Sequence, residues 1–258
     1  NQLRLGHLLD PATLGQVWAP GVFSGNLLAT LTLGILVAIS LALVVATIVV
    51  PLGPTVRATG WVPAIAGTGF FVLIGVGFMM AEIALLQRMS VFLGHPVYAL
   101  SVVLFSLILA TGIGSLVSER VRLDTGGRLV TWALLTGAYL ITLPVWLPVL
   151  LLQLEGAGLL VRAALCVLVL GPAGFLMGFA FPTGMRLVAA IDEGPTPWFW
   201  GINGAAGVLA ASVAVLTSIA FGIDTTLRLG ALCYLLLPLP ALWLRAAAQG
   251  LGARVQLA

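Results

Sequence analysis

The sequence predicts an all-α, polytopic membrane protein with about seven transmembrane helices. Of its 258 residues 61% are hydrophobic and only 7% are charged, whereas about 25% of the residues in soluble domains are charged. Apolar runs recur along the whole length, and each is long enough to cross roughly 30 Å of hydrocarbon as a helix. No period-2 alternation in ten-residue segments is present, which argues against a transmembrane barrel.

The chain divides into a lead-in, a membrane domain and a tail. Residues 1–25 mix polar residues, prolines and glycines, which predicts an interfacial lead-in after a missing upstream domain. Because the chain begins with Asn1 and shows no basic segment followed by an apolar core, it has no recognisable signal peptide and is expected to be a piece of a longer polypeptide. The membrane domain covers residues 26–247, and residues 248–258 form a polar tail. Its predicted spans are residues 26–50, 63–88, 97–118, 129–153, 159–181, 199–221 and 225–245.

Prolines predict irregular points in two of these spans. Pro144 and Pro148 predict a kink in the fourth span. Gly171-Pro172 is expected to break the fifth span, and Phe181-Pro182 to end it. Such broken helices are one indication of a transporter site, because freed backbone groups at membrane depth need protein or water partners.

The arginines predict the orientation. All eleven basic residues are arginines, scattered at the ends of apolar runs, which indicates topology anchors rather than a nucleic-acid surface. Seven arginines fall on the side opposite the N-terminus and four on the N-terminal side, so the loop SERVRLDTGGR is predicted to be cytoplasmic and residue 1 external. The two groups are Arg57, Arg120, Arg122, Arg128, Arg186, Arg245 and Arg254 against Arg4, Arg88, Arg162 and Arg228.

Glu82 is the first candidate for an intramembrane polar site, because charged side chains at membrane depth are costly and usually face a protein interior. It lies six residues before Arg88, which places the two side chains about 120° apart on a helix and excludes the usual i,i+4 pair. Two interpretations stay open for Glu82: a proton or cation site, or a structural carboxylate bonded to another helix. Arg88 is interpreted as an interface anchor whose long side chain reaches the headgroups.

Three further polar residues complete the candidate set. His95 precedes Pro96 and is interpreted as a turn histidine, since no second metal ligand lies near it. Asn203 lies in WGINGAAGVLAAS, where small residues let another helix approach and the amide can bond across the contact; ligand binding is the alternative. Gly174-x-x-x-Gly178 offers a similar packing surface. Arg186 lies in the segment GFLMGFAFPTGMRLV.

No catalytic constellation is present in the sequence. It contains no Ser/His/Asp set, no paired carboxylates, no zinc-ligand spacing and no phosphate-binding Gly-x-x-x-x-Gly-Lys motif. Glycine-rich pieces such as GTGFFVLIGVG lie inside a span and follow no strand, so a dinucleotide-binding site is not indicated. We therefore expect no catalytic centre, cofactor or metal in this chain.

The stretch FFVLIGVGFMMAEIALLQRMSVFLGHPVYALSVVLFSLILATGIGSLVSER, residues 70–120, resembles the membrane region of bacterial fused major facilitator and spermidine synthase-like proteins. The segments GFLMGFAFPTGMRLV and PWFWGINGAAGVLAAS resemble the same family in order and spacing. The resemblance implies helices related to half of a major facilitator protein and a location in the bacterial inner (plasma) membrane. It also implies an upstream Rossmann-like domain with aminopropyltransferase or methyltransferase chemistry, which would place residue 1 in the cytoplasm, against the arginine count.

Two functions are therefore expected from the sequence. The first is a non-catalytic membrane domain that anchors a spermidine synthase-like domain in the bilayer and channels its substrate or product. The alternative is a transporter or half-transporter for a small, cationic solute, with Glu82 and Asn203 lining the path.

Overall fold

A computed structural model describes residues 31–46, 60–123 and 125–256, with side chains described as far as residue 250. Within these ranges the regular secondary structure is entirely α-helical, which confirms the predicted fold class. The helices are α1 (Leu31–Ala46), α2 (Trp61–Leu93), α3 (Pro96–Arg120), α4 (Gly126–Gln153), α5 (Leu159–Gly178), α6 (Ala180–Ala189), α7 (Thr196–Phe221), α8 (Ile223–Leu236) and α9 (Pro238–Gln256).

Six membrane spans are formed by the described residues, judged by helix length and hydropathy. They are α2, α3, α4, the pair α5–α6, α7 and the pair α8–α9. The described part of α1 is a shorter apolar helix of 16 residues, from Leu31 to Ala46. The remainder of the predicted first span and the lead-in lie outside the described residues.

Helix α2 is the central helix of the bundle. Half of its most apolar window is buried, a larger share than in any other span. Glycines allow α7 and α8 to approach it closely: a Cβ added at Gly75 would lie 3.1 Å from the backbone nitrogen of Gly207, and one added at Gly230 would lie 3.0 Å from the carbonyl oxygen of Gly77. Such small-residue contacts drive helix association in lipid, where van der Waals packing replaces the hydrophobic effect.

Helices α3 and α5 form a second close contact. A Cβ added at Gly174 would lie 2.9 Å from the Ala110 Cβ, and one added at Gly178 would meet the carbonyl oxygen of Thr111. Gly114 is packed in the same way against the carbonyl oxygen of Phe175. The predicted packing role of Gly174-x-x-x-Gly178 is therefore confirmed.

The fifth span differs from its predicted form. It stays helical through Gly171-Pro172, and its interruption lies at Phe179 between α5 and α6. Helix then continues to Ala189, through a segment predicted to be loop. Pro182 occupies the first turn of α6, where the missing N–H would have no intrahelical partner in any case, so it starts a helix here rather than ending one.

Two aromatic side chains of α4 hold this irregular span in place. The Trp132 indole Nε1 donates to the carbonyl oxygen of Leu176 at 2.8 Å, next to the interruption. The Tyr139 hydroxyl donates to the carbonyl oxygen of Val169 at 2.8 Å, within one turn of Pro172. Helix α4 supplies these bonds while it remains helical through its own Pro144 and Pro148.

Other helix ends also differ from prediction. Helix α2 continues to Leu93, where Gly94 adopts a left-handed conformation with φ of 76° and ends it. The last span is divided at Leu237 into α8 and α9. The predicted polar tail is helical as far as Gln256.

Candidate functional site

A cavity of ≈ 890 Å³ lies beside the middle of α2. Five elements contribute to its wall: α2, α3, the α5–α6 junction, α7 and one side chain of α8. Most of the wall is apolar. The residues that matter most for its chemistry are Thr111, Ser115, Asn203, Ser212 and Tyr234.

Two of these side chains have buried polar atoms without a partner among the described residues. The Oδ1 atom of Asn203 and the hydroxyl of Tyr234 are buried and form no hydrogen bond with the described residues. Tyr234 is only 1% exposed and packs edge-on against Trp132, with ring centroids 6.5 Å apart. A buried polar group left unpaired costs about 1–3 kcal/mol, so both groups are sites where an added hydrogen-bond partner would be stabilising.

The hydroxyl of Thr111 is already satisfied within its helix. It donates towards the carbonyl oxygens of Leu107 at 2.8 Å and Ile108 at 3.0 Å. Hydrogen bonds of this kind keep a small hydroxyl compatible with an apolar wall. Among these five side chains, the buried polar atoms without a partner are therefore those of Asn203 and Tyr234.

The interruption between α5 and α6 lies in the wall of the cavity. Gly178, Phe181 and Pro182 line the cavity on this side. Because Pro182 has no N–H, the carbonyl oxygen of Gly178 lacks its usual i+4 donor. Irregular backbone at membrane depth is tolerated where it is buried in protein or lines a cavity, and this arrangement meets that condition.

The cavity opens sideways between α3 and α7. Ile108 on α3 and Val208 on α7 line it and are 63% and 61% exposed. Their positions near the middle of apolar spans place this opening at the level of the hydrocarbon. A molecule dissolved in the bilayer could enter here without crossing the aqueous phase.

Glu82 lies beyond the cavity rather than in its described lining. It is half-buried on α2 and forms no hydrogen bond or ion pair with the described residues. Phe78 and Met79 line the cavity, and positions three and four apart share one face of a helix. Glu82 therefore lies about one helical turn, or about 5.4 Å along α2, beyond the part of this helix that lines the cavity.

Arg88 forms an ion pair with a residue of another helix. Its Nη2 donates to Oδ1 of Asp224 in the first turn of α8. The Arg88 side chain is 16% exposed and that of Asp224 is 43% exposed. Because α2 runs five residues past Arg88, the guanidinium lies on the side of that helix next to α8.

The remaining two candidates lie elsewhere. His95 is the N-cap of α3: its Nδ1 accepts from the backbone N–H of Val97 at 3.3 Å, and its ring lies 5.4 Å from that of Tyr98. Arg186 lies near the end of α6, and its Nη2 donates to the Thr183 hydroxyl at 3.2 Å. The five candidates therefore do not form one cluster, and only Asn203 is part of the cavity wall.

Two polar residues of this region, Asp224 and Tyr234, were not predicted from the sequence as candidates. Asp224 follows Gly222 at the start of a span, and an acidic residue in a first helical turn is a recognised favourable position. Tyr234 lies in LCYLLLP, where a tyrosine inside an apolar run needs a partner for its hydroxyl. Neither signal identifies the helix that the side chain faces.

The described residues contain no group of three or more His, Cys, Asp or Glu side chains that could hold a metal ion. No family model, curated protein or solved structure matches the chain.

Proposed function

We propose that this chain is a solute-binding membrane domain of the transporter type, and that the central cavity holds a small amphipathic molecule. The observation that carries the proposal is a mid-membrane cavity with a largely apolar wall in which Asn203 and Tyr234 have unpaired polar atoms. Ligand sites commonly combine an apolar wall with a few polar groups that fix orientation. The unpaired amide and hydroxyl supply such groups.

The wall also restricts what the occupant is. None of the described lining residues is charged, and a charge in an apolar environment is costly unless it is paired. A fully polar polyamine would place several charges against this wall. A molecule with an apolar body and one polar end fits better, and the opening at Ile108 and Val208 supports entry from the bilayer.

The half-buried Glu82 favours a cationic polar end. Its carboxylate has no partner among the described residues and lies about one turn beyond Met79. A molecule whose apolar body occupied the cavity could place an ammonium group beside Glu82. Pairing with an opposite charge would offset the cost of keeping the carboxylate ionised at this depth.

Two glycines allow a direct test of the cavity. A Cβ added at Gly204, which lines the cavity, or at Gly201, one turn earlier on α7 and outside the described lining, would meet nothing within 4 Å. Gly204→Leu should fill the cavity without disturbing helix packing, while Gly201→Leu adds the same bulk elsewhere. The full chain, reconstituted in lipid nanodiscs, would be photolabelled with an alkylamine carrying a diazirine, and the labelled peptides identified by mass spectrometry.

We expect labelling of the cavity segments of α2 and α7, loss of that labelling in Gly204→Leu and its retention in Gly201→Leu. Equal labelling of the two variants would reject the cavity as the binding site. Glu82→Gln should weaken labelling by the amine and leave labelling by the matched neutral alcohol unchanged. If both probes respond equally to Glu82→Gln, the cationic end is excluded while the cavity proposal stands.

Anchoring and channelling for an upstream spermidine synthase-like domain remain a prediction from the resemblance. That function is compatible with the cavity, because a channelled intermediate also needs a binding site in the membrane domain. The sequence immediately upstream of Asn1 tests it. A glycine-rich strand–turn–helix unit there would support the fused architecture, and a further membrane span in its place would contradict it.

A further inference from the structure

An apolar groove of ≈ 550 Å³ lies between α4 and the end of α5, beside the α3–α4 connection. Its lining includes Val121, which is 53% exposed, and Leu135, which is 57% exposed, so the groove is open to the surroundings rather than enclosed by helices. It shares no lining residue with the central cavity. The groove is therefore a separate feature on another side of the α5–α6 junction, where Phe175, Leu176 and Phe179 contribute to its wall.

The groove follows one face of α4 from its first turn into the membrane. The lining residues of this helix begin at Gly127 and end at Leu135, and eight residues of α-helix rise about 12 Å. Helix α4 has 28 residues and is therefore about 42 Å long, which exceeds the roughly 30 Å of the hydrocarbon core. Its first turn consequently lies at the level of the headgroups, and Leu135 lies within the hydrocarbon.

A positive charge lies at the headgroup end of the groove. Arg128 lines it in the first turn of α4, is exposed, and its side chain forms no hydrogen bond or ion pair with the described residues. The bond to the Thr125 hydroxyl comes from the backbone N–H of Arg128 and leaves the guanidinium available. None of the described lining residues is acidic. The groove therefore combines an apolar body with one accessible cation at its end.

The chain around this end keeps an excess of positive charge. Three arginines lie in the segment SERVRLDTGGR: Arg120, Arg122 and Arg128. It also contains two acidic residues, of which Glu119 is exposed and outside the lining, and Asp124 lies outside the described residues. An anionic group is therefore favoured over a cationic one at the end of the groove.

We propose that this groove binds an anionic phospholipid, with an acyl chain between α4 and α5 and the headgroup phosphate at Arg128. The guanidinium of arginine matches the oxygen geometry of phosphate, and basic sites at the ends of membrane helices attract anionic headgroups. The apolar part of the groove lies at the depth of the acyl chains. A bound lipid would also contact Phe175 and Leu176, next to the interruption at Phe179.

The charge requirement is tested with the purified full chain in neutral detergent, titrated with short-chain lipids and followed by native mass spectrometry. The wild-type chain should bind phosphatidylglycerol about fivefold more tightly than phosphatidylcholine with the same acyl chains. Arg128→Gln should remove this preference. Arg122→Gln is the matched control, because it removes the same charge from an exposed position outside the lining, and its preference should stay within about twofold of the wild-type value.

The apolar requirement is tested by filling the groove. A Cβ added at Gly127 would meet nothing within 4 Å, so Gly127→Leu should occupy the headgroup end without disturbing helix packing and should weaken the binding of both lipids. Gly156→Leu adds the same bulk at an equally open position just beyond the other end of α4, outside the lining, and should bind both lipids normally. Thr131→Trp, at an exposed lining position one turn deeper, is a second blocking variant.

Three results would overturn the proposal. Equal binding of the two lipids by the wild-type chain would remove the headgroup preference, and equal losses in Arg128→Gln and Arg122→Gln would assign that preference to the general charge of this face. Unchanged lipid binding in both Gly127→Leu and Thr131→Trp would exclude the groove. A wild-type dimer that disappears in these two blocking variants would instead assign the groove to a second copy of the chain.

Discussion

The environment of a polar side chain in this bundle decides its role more than its residue type does. Arg88 and Arg162 lie towards the same end of the bundle and have different partners. Arg88 pairs with Asp224, whereas Arg162 Nη1 donates to the carbonyl oxygen of Phe92 at 2.9 Å and lies over the Phe92 ring. Arg162 therefore stabilises the C-terminal turn of α2, where a cation is favoured, and Arg88 joins α2 to α8.

The Arg88–Asp224 pair is expected to couple the two helices by about 1 kcal/mol. Asp224 is 43% exposed, and solvent screening at that end keeps the coupling well below the value for a fully buried pair. A double-mutant cycle with Arg88→Gln and Asp224→Asn, measured by unfolding in mixed detergent micelles, gives this energy directly. Additive effects of the two substitutions would contradict a functional ion pair.

Arg228→Gln is the control for this cycle. Arg228 is exposed on α8, one turn after Asp224, and its removal changes the net charge by the same amount as Arg88→Gln. The free energy of unfolding should change by less than about 0.5 kcal/mol, as for most surface substitutions.

At the scale of helices, glycines determine which pairs approach closely. The contact between α3 and α5 uses Gly114, Gly174 and Gly178. Gly112, two residues before Gly114 on the same helix, faces the cavity and has no atom within 4 Å of an added Cβ. The same residue type therefore allows close packing at one position and leaves open space at another.

Substitution by alanine should therefore have opposite effects on the free energy of unfolding at Gly114 and at Gly112. Gly114→Ala would bring its Cβ against the carbonyl oxygen of Phe175, and the resulting shift of α5 should lower the free energy of unfolding by about 1–3 kcal/mol. Gly112→Ala should be neutral or stabilising by up to about 1 kcal/mol, because alanine restricts the unfolded chain. Unfolding in mixed micelles measures both, and equal effects would show that α3 and α5 do not pack closely.

The helices themselves were largely predictable, while their partners were not. Apolar length is a local property, so the spans were found with errors mainly at their ends. The interruption lies at Phe179 and not at Pro172, and the side chains that donate to backbone carbonyls near these two positions, Trp132 and Tyr139, come from a different helix. The pairing of Arg88 with Asp224 joins residues 136 positions apart and has no local signature.

The candidate site was predictable only in part, for the same reason. The amide of Asn203 was recognised from its small-residue surroundings, and it lines the cavity. Tyr234 comes from a different span, and its approach to the cavity follows from the packing of α8 against Gly77. A cavity belongs to several helices at once, so no single segment of sequence encodes it.

At the scale of the whole molecule, the distribution of arginines predicts orientation. Six of the nine arginines in the described residues lie at the end that contains the α3–α4 connection, and three lie at the opposite end. The first group is Arg120, Arg122, Arg128, Arg186, Arg245 and Arg254, and the second is Arg88, Arg162 and Arg228. One member of the smaller group, Arg88, is neutralised by Asp224. The positive-inside rule therefore predicts that the α3–α4 connection faces the cytoplasm.

Two glycines at opposite ends of α4 test this orientation. Gly127 and Gly156 are both exposed, and an added Cβ would meet nothing within 4 Å at either position, so each accepts cysteine without a packing change. In intact bacterial cells expressing the chain, a membrane-impermeant maleimide should label Gly156→Cys and should label Gly127→Cys only after lysis. The native Cys166 is fully buried and Cys233 lies inside a span, so the unsubstituted chain gives the background. The reverse labelling pattern would place the arginine-rich end outside.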